Sequence, residues 1–170
     1  MRTNMTTSAL RRPRVESWVT ILAKTVEFHT DAPFAWGQSD CGLWADLVLA
    51  MTGWDPIADC RGYTNASSGL RKLKAAGYAS VIELVEDRFE EIPASFAQRG
   101  DLIVPCGRSV DVHLATSPCG THQYTVPALN GAIHPLSSPA VCIGRHAFSK
   151  SESGAVVFEM DRRHIRAFAV

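Results

Sequence analysis

The chain has 170 residues, 46% hydrophobic and 20% charged, with 17 basic and 17 acidic side chains and a formal net charge of +0. That length suits one domain with a proper core rather than two. The even charge excludes a global field that would draw the chain to nucleic acid or membrane, and no apolar run approaches the length of a membrane span.

The first residues, Met1 to Arg12, are polar and basic and lack the apolar centre of a secretory signal. They read as an arm, 1–12, ahead of a single domain, 13–170. Periodicity predicts a first helix over about Pro13 to Phe28, with Trp18, Ile21, Leu22 and Val26 on one face. A loop through Pro33 and Gly37 leads to a second helix, about Asp40 to Met51, striped by Leu43, Trp44, Leu47, Val48 and Met51. Ser39 or Asp40 can cap it, and Gly53 can end it. A basic third helix is expected over about Ser68 to Ala76. Ser80 with Glu83 marks a capping box for a fourth, Val81 to Phe89. After Gly100 the pattern turns to strands, at Asp101–Pro105, Ala140–Gly144, Ala155–Met160 and Ile165–Val170. Between the first two lies a long irregular insertion, at about 105–139. Helices first and strands second give an α+β class.

Five cysteines, Cys41, Cys60, Cys106, Cys119 and Cys142, are odd in number and irregular in spacing. They do not read as a disulfide framework but as reduced thiols of a chain made in a cytoplasm. Cys41 stands out because the helix prediction places it in a first turn. There, unsatisfied N–H groups and the helix dipole favour the thiolate, the nucleophilic form. Gly42 beside it would leave room for a substrate, and Trp36 and Trp44 flank it. Asp40 reads as a cap and Asp46 as a solvent-facing carboxylate. A cysteine at such a place also serves as a small buried hydrophobe, and the residues alone leave both readings open.

Trp36-Gly37-Gln38-Ser39-Asp40-Cys41-Gly42-Leu43 opening a helix, with Arg99-Gly100-Asp101-Leu102 opening a strand, resembles the NlpC-like cysteine peptidases of papain-like fold. The fuller pattern adds Gly53, Arg61-Gly62-Tyr63 and Ile92-Pro93. It is similar to a branch found in tailed phages and prophages among tail-tip genes. The resemblance covers about residues 15–104 and 140–170. It implies N-terminal helices packed on a small antiparallel sheet, with Cys41 at the nucleophile position and a substrate cleft at Trp36, Asp40 and Gly42. The family's substrate is the peptide of bacterial peptidoglycan, and a histidine directly before the strand aligned with Val141–Gly144 takes the proton. Here Pro139 or Ala140 holds that place. His113, in the alternating run Val110–Ala115, is the alternative base, and His146 a second.

Within the insertion, Cys106, His113, Cys119 and His122 make the ligand set of a tetrahedral zinc site, although no standard finger spacing is met. Arg162, Arg163 and Arg166 offer a contact patch. Arg71, Lys72 and Lys74 read as a solvated face and make no case for nucleic acid. Taken with the resemblance, the expectation is a phage tail-tip or baseplate protein, made in the bacterial cytoplasm and built into the virion tail. It would dock on hub proteins and use no cofactor unless the zinc site forms. The alternative is an active peptidase cutting peptidoglycan during genome entry.

Overall fold

The computed structural model describes residues 12–105, 111–116, 120–125, 138–163 and 165–170, of which 111–116 and 120–125 are described by their backbone. Four helices, α1 (Trp18–Asp31), α2 (Leu43–Thr52), α3 (Ala66–Ala75) and α4 (Val81–Arg88), come first. Eight strands follow: β1 (Glu90–Ile92), β2 (Leu102–Pro105), β3 (Asp111–Thr116), β4 (Gly120–Thr125), β5 (Ala140–Cys142), β6 (His146–Ser151), β7 (Gly154–Glu159) and β8 (Ile165–Ala169). They form one sheet in the order β1-β8-β2-β5-β6-β7-β3-β4, with every pairing antiparallel. The chain is thus α+β, with a wider sheet than expected. Two of its strands, β3 and β4, are cut from the stretch that reads as irregular.

Strand alternation sorts the core into two layers. Leu102 and Val104 of β2, Val141 of β5, Phe148 of β6 and Phe168 of β8 meet the helices. Their neighbours Ile103, Ala140, Cys142, Ala147 and Ala167 pack on the other face. The central helix is α2, whose Leu43, Trp44, Ala45, Leu47, Val48 and Met51 are all buried. It ends as expected, with Gly53 in the left-handed region (φ 74°) and its N–H on the Leu49 carbonyl.

Two helix boundaries move for tertiary reasons. α1 begins at Trp18 rather than near Pro13, because the Val15 N–H is drawn to the Met51 carbonyl of α2 at 2.8 Å. At the fourth helix the box is half formed. Ser80 Oγ accepts from the Glu83 N–H, while the Glu83 carboxylate reaches Ala79, one residue before the cap. A full reciprocal box sits instead at α3, between Asn65 and Ser68. The arm lies outside the described residues except for Arg12, which stacks over Trp54 at 3.9 Å. Two residues of the C-terminal basic patch are neutralised: Arg163 pairs with Asp161, and Arg166 with Glu86 and Glu91. Among the described residues no helix is long and apolar enough to cross a membrane.

Candidate functional site

The turn that carries Cys41 is built from residues 35–42. Ala35 and Ser39 exchange backbone hydrogen bonds at 2.8 and 3.0 Å, closing a tight loop. Gly37 takes φ +73° at its apex, where a Cβ would lie 2.5 Å from the Tyr63 carbonyl oxygen. The Asp40 carboxylate is buried in this loop. It accepts from the Gly37 N–H at 2.7 Å, the Gly42 N–H at 2.7 Å and the Tyr63 hydroxyl at 3.2 Å. Burial and the adjacent Asp40 carboxylate hold the Tyr63 phenol well above its ordinary range.

This geometry corrects several expectations. The helix starts at Leu43 with Gly42 at its N-cap position, and no side chain caps it. Cys41 therefore lies in the turn before the helix, not in its first turn. Asp40 ties the turn to Tyr63, and Ser39 faces away, its hydroxyl 3.0 Å from Nδ1 of buried His29. Asp46 receives Arg61 Nη1 at 2.6 Å rather than standing alone in solvent. The small size of Gly42 makes room for the Tyr63 hydroxyl and the Asp40 carboxylate. A Cβ there would sit 2.5 Å from the Tyr63 hydroxyl and 2.9 Å from Asp40 Oδ1. Gly42→Ala should accordingly cost about 1–3 kcal/mol, the range for forcing atoms into a packed site. Adding Tyr63→Phe should recover part of the loss, and thermal melts of the two single variants and the double would read it.

Cys41 is half-buried. Burial raises its thiol pKa, the Ser138 hydroxyl that hydrogen-bonds the sulfur opposes the rise, and the Asp40 charge adds to it. The net direction is upward, opposite to the expectation from a helix terminus. The sulfur lines an apolar pocket of about 60 Å³ with Trp36, Trp44, Tyr63, Leu73, Leu84 and Ser138 among its walls. Trp36 meets Tyr63 edge-on at 6.4 Å, and buried Trp44 forms the floor against Phe89. No imidazole lines this pocket among the described residues.

Ser138 arrives from the strand expected to supply a base. β5 pairs with β2, placing Val141 opposite Leu102, and the residues just before β5 run past Cys41. The hydroxyl that reaches the sulfur comes from one residue ahead of Pro139, and nothing in the sequence reading singled it out. β3 stands three strands from β5 in the sheet, ~14 Å at ordinary strand spacing. The side chain of His113 on it lies outside the described residues. His146 opens β6, is exposed and does not line the pocket. Of the zinc set, Cys106 and Cys119 lie outside the described residues. His113 and His122 fall on neighbouring rungs of the β3–β4 ladder, their side chains again outside the description. Among the described residues no group of His, Cys, Asp and Glu side chains is arranged to hold a metal ion.

His29 is one of the buried polar groups that the sequence pattern did not single out. It lies seven residues after Leu22 on the inward stripe of α1, and that spacing is the signal that marks it. Burial lowers its pKa, Asp46 opposes, and Lys150 adds to the lowering. The imidazole is thus held as a neutral partner of Ser39.

A family model described as a domain of unknown function, DUF6950, matches residues 13–170. No curated protein and no solved structure matches the chain.

Proposed function

The chain belongs to the DUF6950 family, and we propose that it is a structural component of a phage tail tip or baseplate, with a papain-like, NlpC-like frame and a degenerate peptidase site. One observation carries the loss of chemistry. The thiol at the nucleophile position is hydrogen-bonded by Ser138 and neighboured by Asp40, with no imidazole lining its pocket among the described residues. A serine hydroxyl cannot take a proton from a thiol near neutral pH, and a carboxylate next to the sulfur disfavours the thiolate. The frame is supported by the order of parts: a cysteine turn ahead of a buried helix, then Gly100-Asp101-Leu102 opening a strand that pairs with the strand after Ser138. Placement in the tail rests on the resemblance to the tail-tip branch, and hub proteins are the partners it implies.

Two measurements test this reading. Purified peptidoglycan incubated with wild-type chain should release no more fragments than with Cys41→Ala. Release that depends on Cys41 would instead establish the alternative, a live peptidase, which is favoured by the half-buried sulfur lining an open pocket. Mass spectrometry of gradient-purified virions should find the chain in intact particles, and its absence from them would remove the structural role.

A further inference from the structure

The pocket beside Cys41 is selective in what it can hold. Its walls are carbon from Trp36, Trp44, Ile57, Leu73, Val81 and Leu84, and among the described residues no Lys, Arg, His, Asp or Glu side chain lines it. The lining residues with side-chain polar atoms are Cys41, Cys60, Tyr63, Ser138 and the two tryptophans, and two of these are already engaged: Tyr63 donates to Asp40, and Ser138 bonds Cys41. An ordered water needs two to four polar partners, which walls of this kind do not supply. A carboxylate or ammonium brought in would lose its hydration with no opposite charge to meet. The volume, about 60 Å³, is well under the roughly 150 Å³ of an apolar cavity that takes benzene.

We propose that this pocket is a receptor for one small, uncharged aliphatic group of about three or four carbon atoms, seated against the Cys41 sulfur. The group can be presented by a peptide, as a valine side chain is, or by a free small amide. Binding of this kind needs no base and no thiolate. It therefore goes beyond the structural role proposed above and holds whether or not the chain is found in virions.

The test uses three compounds that share an isopropyl group and differ in charge: isobutyramide, isobutyrate and isobutylammonium. Each is added to the full chain during alkylation by N-ethylmaleimide, and modification of the Cys41 peptide is followed by mass spectrometry. Isobutyramide at tens of millimolar should slow the reaction by about threefold or more, within the affinity open to so few atoms. The two ions should leave the rate unchanged. N-acetyl-valinamide protecting at lower concentration than isobutyramide assigns the group to a peptide; weaker protection assigns it to a free amide. Gly69→Val tests the location. Gly69 lines the pocket from α3, and a Cβ there meets the Tyr63 ring at 3.7 Å, an ordinary contact. The added methyls should abolish protection. Gly69→Ala, which replaces a helix glycine by the best helix former, provides a folded second variant with reduced protection. Equal protection by all three compounds, no protection by the two neutral amides, or full protection in both Gly69 variants would overturn the proposal.

Discussion

Asp101→Ala should lower the stability of the chain by about 3–5 kcal/mol, the cost of removing one partner from a buried charged pair. The carboxylate is fully buried and accepts from donors both near to it and far from it in sequence. Oδ1 accepts from Arg14 Nη2 at 2.9 Å and from the Val170 N–H at 3.2 Å, and Oδ2 accepts from the Gln98 N–H at 2.9 Å. Arg14 continues the network, donating to the Arg99 carbonyl at 2.6 Å and the Val170 carbonyl at 3.2 Å, with its guanidinium 4.4 Å from the centre of the Trp18 ring. One side chain thus joins the approach to α1, the turn into β2 and the end of β8. Its loss removes the ion pair with the Arg14 guanidinium and the acceptor of two backbone N–H groups. Asp101→Asn keeps the volume and should fall between wild type and alanine. Urea titration reads the effect as a lower midpoint at unchanged slope. A loss under about 1 kcal/mol, the scale of an exposed ion pair, would contradict the network.

The same residue shows what was legible in the sequence. Gly100-Asp101-Leu102 reads as the opening of a strand, and β2 begins at Leu102. That Asp101 would be buried was not legible, because two of its donors lie 87 and 69 residues away in sequence. The helices were found because their stripes and caps are local. α2 shows this most clearly, since its apolar face and its glycine stop are contained within a dozen residues. β1 escaped notice because it is three residues long and two are exposed glutamates. β6 escaped because Lys150 sits where an alternating pattern would want an apolar side chain. At the site, Cys41 and its apolar surroundings were legible from the residues beside it. Its placement before the helix was not, because Asp40 turns to Gly37 and Tyr63 instead of capping. Ser138 was invisible for a simpler reason: 97 residues separate it from Cys41, and only the β2–β5 pairing brings them together.

Lys150→Ala should cost about 2–4 kcal/mol, from two charge-assisted hydrogen bonds and a helix-end interaction lost together. Lys150 is 3% exposed, and its ammonium donates to the carbonyls of His29 and Ala32. Those carbonyls lie at the C-terminal end of α1, where the last turn has no further N–H groups to meet and a cation is favoured by the dipole. Lys150 thereby pins α1 to β6 across the core. Lys150→Met retains the apolar stem and should lose less than alanine. Hydrogen exchange gives the local readout. The amides at the end of α1 should exchange faster in both variants, while those of α3, remote from the contact, should shift only with global stability. Uniform acceleration across all helices would show that Lys150 acts on the whole fold and not at the end of α1.

The Cys41 site is where the proposed degenerate peptidase site is tested. The most direct measurement is the pH dependence of Cys41 alkylation, followed on its own peptide from pH 5 to past 9. A thiol raised by burial, with Asp40 beside it and a serine for its partner, stays protonated through neutrality. Its rate should climb with an inflection above the ordinary thiol value of 9.0. A rate already at its plateau near pH 7 would mean a thiolate stabilised by a cationic partner, and would contradict a degenerate site.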